Sequence, residues 1–163
     1  MAVLSRPSAR FVRTARSFLA LEREGGTMSY QYVIPAGQLF QDGNLIGTGW
    51  AGHDTATVQG QNNPDAITVE GIGPLPPGSY TVGDPINSPR LGPIAFPLTP
   101  DPANVMYGRS GFYIHGAQIN PTVPDTSSDG CIIQQHNVRL SIEAAIQGTA
   151  IDDPLRSLEV TLA

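Results

Sequence analysis

From Tyr30 onward the chain alternates between short apolar runs and turn residues, and only one segment keeps a helical period. Gln31-Tyr32-Val33-Ile34 and Gln38-Leu39-Phe40-Gln41 read as strands, broken at Pro35-Ala36-Gly37. Asp42-Gly43 stands between Leu39-Phe40 and Leu45-Ile46. Asp-Gly in that setting predicts a hairpin, because both residues can take positive φ. Gly47 to Trp50 continues the outgoing strand. Ala66 to Val69 and Ser79 to Val82 read as further strands, with Pro/Gly turn material between them from Gly71 to Gly78. Asp84 to Asp101 carries prolines at 85, 89, 93, 97 and 100. Proline has no N–H to give, so this run is expected to be neither central strand nor helix. It should wrap the surface, pinned by Leu91, Ile94, Phe96 and Leu98. The helical period comes late: Val138, Ile142 and Ala145-Ile146 share one face, Asn137 can cap the start and Gly148 the end. This predicts one helix over about 137–147. Ser157 to Leu162 alternates and reads as a last, half-exposed strand.

Composition agrees with this pattern. Eighteen glycines and fifteen prolines make up a fifth of the 163 residues, which favours many short strands and turns in a mainly β fold. The length suits one domain, over 28–163, with a sizeable core. Residues 1–27 differ: they hold five arginines against two glutamates, whereas 28–163 hold four arginines against twelve acids. Three readings of the basic segment stay open: a translated stretch upstream of a true start at Met28, a mobile basic arm used in delivery, or a secretory signal. Phe18-Leu19-Ala20-Leu21 is shorter than the roughly 7–15 apolar residues of a signal core, which counts against the last. No run approaches the ~20 apolar residues that span a bilayer. The acidic body argues against a nucleic-acid partner, since phosphates need clustered basic residues.

The candidate chemistry lies in Gly111 to Gln134. Phe112-Tyr113-Ile114 runs into His115-Gly116, and sixteen residues after His115 Gly130 leads into Cys131-Ile132-Ile133. A strand ending at His115 and another starting at Cys131, if paired, bring imidazole and thiol within reach, as a cysteine nucleophile and its base require. Cys131 is the only cysteine, which excludes an intramolecular disulfide and a multi-cysteine zinc site. His53, His115 and Cys131 match no zinc spacing, so neither metal nor cofactor is expected. Ser127-Ser128-Asp129-Gly130 forms a flexible polar turn before the thiol. Gly52 to Asp65 is either a solvated loop or a cleft wall with Asn62 and Asn63 as amide donors. Arg109 is either a structural arginine binding loop carbonyls or Asp101, or a clamp for a substrate carboxylate. His136 is expected to be exposed.

His115-Gly116, a gap, and Ser128-Asp129-Gly130-Cys131-Ile132 resemble the signature of the L,D-transpeptidases. Gly60 to Pro64, Gly73 to Gly83 and Met106 to Phe112 extend the likeness, in order, to the small L,D-transpeptidase effectors of type VI secretion. The resemblance runs from about Tyr30 to the C-terminus. It implies a β-sandwich or barrel-like domain with one packed helix, acting on peptidoglycan stem peptides. Cys131 would attack the carbonyl after the third-position diamino acid, with His115 as base and the Gly116 carbonyl orienting the imidazole. Read from the residues themselves, the N–H groups of Gly130 and Cys131 are candidates for the oxyanion hole, Ser128, Asp129, Asn62 and Asn63 are candidate substrate contacts, and a carboxylate clamp at Arg109 fits the resemblance without following from it. It also implies export, action in the periplasm of a target bacterium, and a cognate immunity protein. One position departs from the pattern: the family's second histidine, two places before the cysteine, is Asp129 here. A catalytically inactive peptidoglycan-binding module is therefore one alternative. A cysteine peptidase or amidase of another fold is a second, weakened because His precedes Cys in this chain.

Overall fold

The computed structural model describes residues 30–119 and 125–163. The basic segment 1–27 and Met28 lie outside the described residues, as do 120–124 of the loop between His115 and Cys131.

The first strand, β1 (Tyr30–Val33), shows what the alternation encodes: Tyr30 and Tyr32 are fully buried while Gln31 and Val33 are half-buried. It pairs with β2 (Gln38–Gln41), and β2 turns through Asp42-Gly43 into β3 (Asn44–Thr48). Both turn residues are left-handed, with φ of 48° and 78°, as the Asp-Gly hairpin requires. Then follow β4 (Trp50–Ala51), β5 (Gly78–Val82), β6 (Ile86–Ser88), β7 (Gly92–Pro100), β8 (Tyr113–His115), β9 (Ile132–Ile133), the helix α1 (His136–Ile146) and β10 (Ser157–Thr161).

The strands join in the order β3-β2-β1-β10-β5-β7-β8-β9-β4, with β6 paired to β7. The two ends of that order, β3 and β4, are joined in the chain by Gly49 alone. The sheet therefore curls until its edges become consecutive in sequence, and the fold is mainly β: a nearly closed, barrel-like sheet with one helix. A Cβ at residue 49 would overlap the Ile133 carbonyl oxygen, so glycine is what lets the seam come this close. Strands β1/β10 and β8/β9 pair in parallel and the others antiparallel. Tyr30, Tyr32, Ile34, Leu39, Phe96, Ile114, Ile132, Leu158 and Val160 fill the interior, closed on one side by Val138, Ile142 and Ile146 of α1.

Three expectations need correction. Ala66 to Val69 is not a strand. Asn63 caps a single 3-10 turn over Pro64–Ala66, and Val69 N–H donates back to the Ala66 carbonyl at 2.8 Å. The cap-plus-proline start of Asn63-Pro64 outweighs a short apolar run with no strand beside it. Nor does the proline-rich stretch merely wrap the surface. It contains β7, a nine-residue strand inside the sheet. The prolines are tolerated because β7 changes partner along its length. Ala95 pairs with β6, Phe96 and Pro97 with β8, and Leu98 to Pro100 with β5. Pro97 sits at the handover, and its carbonyl still accepts from Gly83 N–H at 2.8 Å. Finally, α1 begins one residue early and Asn137 is not its cap; Gln135 holds that place and makes no side-chain cap bond.

Candidate active site

Strands β8 and β9 place the two candidate catalytic residues. Ile114 pairs with Ile132 and His115 with Ile133, so the register carried back one step sets Cys131 beside Tyr113. Residues opposite one another in a sheet point to the same face, which puts Cys131 on the face of Tyr113 and His115. Both Cys131 and His115 line one cleft of about 700 Å³, with Glu70, Arg90, Arg109 and Asp129 on its walls.

The imidazole is held in one tautomer. His115 Nδ1 lies 2.8 Å from the Gly116 carbonyl oxygen. A carbonyl can only accept, so Nδ1 carries the proton and Nε2 keeps a free lone pair. His115 is 4% exposed. Burial lowers its pKa below the ordinary imidazole value, the bond to Gly116 opposes this, and Arg139 and Arg90 add to the lowering. Burial also pushes the Cys131 thiol up to about 11. The Tyr113 backbone N–H favours the thiolate and Asp129 disfavours it. The unliganded pair is therefore thiol and neutral imidazole, not a resting ion pair.

The turn before the thiol is built from the inside. Ser128 is fully buried. Its hydroxyl accepts from Gly52 N–H at 2.8 Å and Gly130 N–H at 3.1 Å and donates to the Cys131 carbonyl at 2.6 Å. Gly130 has φ 124°, and a Cβ there would stand 2.5 Å from the Arg109 guanidinium and 2.8 Å from the Phe112 ring. Arg109 itself is buried. It donates from Nη1 to the carbonyls of Ile67 (2.5 Å) and Pro74 (2.6 Å), and from Nη2 to those of Gly73 (2.8 Å) and Asp129 (3.2 Å). These contacts match the structural reading of Arg109. The guanidinium braces the turn that carries Cys131, though one side of the residue still borders the cleft.

Asn62, Asn63 and Ser128 do not line the cleft. Asn62 Oδ1 accepts from Ala51 N–H and the Tyr32 hydroxyl, and Asn63 Oδ1 accepts from Asp65 N–H as the cap of the 3-10 turn. Polar loop residues of these types commonly satisfy their own backbone first. The Gly130 N–H, expected in an oxyanion hole, is already donated to Ser128. His136 is exposed, at a smaller cavity on the far side of Gly116.

Two charged residues escaped the sequence reading, Arg90 at the cleft and Arg139 behind it at the smaller cavity. Arg90, in the turn between β6 and β7, sets Nη2 3.3 Å from Asp129 Oδ2. Arg139, buried in the first turns of α1, donates to the carbonyls of Gln134 (3.2 Å), Pro93 and Ile94 (3.2 Å), tying the helix to β7 behind His115. Arg90 lies in a turn far along the chain from Cys131, and Arg139 lies on a helix whose other members announced only an apolar face. His53 Nδ1 lies 2.8 Å from the Ser128 carbonyl oxygen and 3.9 Å from Asp129 Oδ1, off the cleft wall. Among the described residues no cluster of three or more His, Cys, Asp or Glu is arranged to hold a metal ion, and no helix is long and apolar enough to cross a membrane.

No curated protein and no solved structure matches the chain. The family model of the Tlde1 domain matches residues 47–151, from the end of β3 through the thiol turn and α1. That span holds His115, Cys131, Arg90, Arg109 and Asp129, and it leaves β1, β2 and β10 to complete the sheet around them. The chain therefore belongs to the Tlde1 domain family, type VI secretion effectors of the L,D-transpeptidase type.

Proposed function

We propose that the protein is a cysteine-dependent acyltransferase that cuts or exchanges the terminal D-residue of peptidoglycan tetrapeptide stems. The observation that carries this reading is the parallel β8/β9 pair, which sets His115 and Cys131 on one face of one cleft with Nε2 free to take a proton.

The steps follow from the geometry. Cys131 Sγ attacks the carbonyl of the third-position diamino acid as its proton passes to His115 Nε2. Because the thiol begins neutral, attack and proton transfer are coupled, and no thiolate needs to pre-exist. The Cys131 N–H is the candidate donor to the resulting oxyanion, where one such bond contributes ~3 kcal/mol. As the C–N bond breaks, His115 returns the proton to the departing amine and a thioester remains. Water, a free D-amino acid or another stem amine then attacks that thioester, giving up its proton through His115 while the C–S bond breaks and Cys131 regains its proton. The three acceptors give carboxypeptidation, exchange and cross-linking.

Family membership supports peptidoglycan as target and a cognate immunity protein in the producing cell. Export to the periplasm of a target bacterium completes the proposal. The test is digestion of tetrapeptide muropeptides by wild type and Cys131→Ala, read by mass spectrometry. Loss or exchange of the terminal D-alanine by wild type alone is the expected result. Intact muropeptides that still bind the protein would instead mark a binding module.

A further inference from the structure

The cleft holds two arginines, and only one can turn toward a ligand. Arg109 is locked on four main-chain carbonyls. The Arg90 side chain is 81% exposed, and its ion pair among the described residues is with Asp129, itself 56% exposed. Its backbone is nonetheless fixed, since Ser88 Oγ accepts from the N–H groups of Arg90 (3.2 Å) and Leu91 (3.4 Å). Arg90 is thus an exposed cationic head on a turn held by Ser88, at the rim of a cleft whose other exposed charges, Glu70 and Asp129, are negative.

The position of its partner carries the inference. Asp129 stands two residues before Cys131, so the guanidinium already holds a carboxylate close to the thiol. A carboxylate one residue beyond the scissile carbonyl has to lie in the same neighbourhood, because adjacent Cα atoms are only ~3.8 Å apart. We propose that Arg90 anchors the α-carboxylate of the residue that leaves, and that Asp129 occupies this anchor until substrate arrives. The proposal rests on the acyl-transfer reading above. Exposed ion pairs are weak, so an incoming carboxylate can displace Asp129, whereas a guanidinium facing empty solvent would be open to any anion. Anchoring at this carboxylate makes the enzyme an exo-acting one, selecting a stem that ends one residue past the bond. A free D-amino acid entering for exchange brings its carboxylate to the same place as the one that left.

The test uses three tetrapeptide muropeptides: the free acid, the amide of the terminal D-residue, and the amide of the diamino acid's own carboxyl. Binding is measured by calorimetry in a Cys131→Ala background and turnover in the active protein. The free acid should bind about tenfold or more tightly than the terminal amide, the difference expected of a charge-assisted pair. Arg90→Gln should abolish that difference, mainly through KM in the active protein. Arg90→Lys should keep part of it, and Asp129→Asn should tighten binding of the free acid. An equal loss on acid and terminal amide would overturn the proposal, leaving Arg90 a structural role. So would a discrimination that follows the diamino acid's carboxyl. Since binding is read without turnover, a wild type that binds with this pattern but leaves every peptide intact would uphold the anchor and overturn the acyl-transfer reading instead.

Discussion

Two protons set the chemistry at the residue scale, one on Cys131 Sγ and one on His115 Nδ1. Burial moves the two groups in opposite directions, the thiol up to about 11 and the imidazole below its usual range. Each shift favours the neutral form. The signs give a pH profile. The base must be unprotonated, and its lowered pKa places the acid limb of kcat/KM below ~6.5, so activity rises through that limb and holds through neutrality. Alkylation of the free protein follows the thiolate instead. Its rate should climb steadily to pH 10 and beyond, with no plateau near the ordinary thiol pKa of ~8.5. Iodoacetamide kinetics across pH check this, and a plateau near pH 7 would sink the neutral-pair description. Cys131 and His115 were legible because each closes or opens an apolar run beside a glycine. Asn62, Asn63 and Ser128 were misplaced because sequence does not distinguish a polar group facing a cleft from one satisfying its own loop.

At the scale of elements, the spacing between histidine and cysteine acquires a reason. Parallel neighbours cannot be joined by a tight hairpin, since the chain must travel back the length of the strand before pairing again. Sixteen residues from His115 to Cys131 supply that return, and the return then needs bracing where it re-enters the sheet. Arg109 provides the brace. Arg109→Ala strands the carbonyls of Ile67, Gly73, Pro74 and Asp129, and should lower stability by about 3 kcal/mol. Arg109→Lys should recover little, because an ammonium cannot reproduce the planar fork. Thermal unfolding reads the stability. A substrate-clamp role would instead leave Tm unchanged and raise KM. The other strands show where pattern reading ends. Strand β10 was plain from its alternation, whereas β7 was hidden because its prolines break no ladder when the pairing partner changes at Pro97. The helix was read from its apolar stripe, but its buried Arg139 was not. A long side chain anchored on carbonyls of another element leaves no periodic trace.

At the scale of the whole molecule, the active site sits where the sheet almost closes. Strand β9 carries Cys131 at its entry and pairs on one side with β8 and on the other with β4. Strand β4 is the last of the ladder, and the single residue Gly49 ties it to β3, the first. The seam and the nucleophile thus share strand β9, and Ile132-Ile133 is the stretch that links them. No stretch of the chain announces this closure. A mainly β fold follows from turn density and alternation, but which edges meet depends on long-range pairings that no local pattern contains. The contact at the seam makes the link testable. A methyl group at residue 49 would overlap the Ile133 carbonyl oxygen, and main chain cannot yield as a flexible side chain would. Gly49→Ala must therefore push β4 away from β9 or shift β9 itself. Overpacking of this kind costs about 1–3 kcal/mol. A drop in Tm alone would describe any core glycine. The linked prediction is that kcat falls by more than tenfold at temperatures where the variant is fully folded, because a shift of about 1 Å at β9 displaces Cys131 from its attack position. Gly43→Asn is the control: no atom lies within 4 Å of a Cβ there, and asparagine tolerates the left-handed turn. That variant should keep wild-type kcat. If Gly49→Ala lowers Tm but leaves kcat intact, the seam and the nucleophile are mechanically independent and the site depends only on the β8/β9 pair.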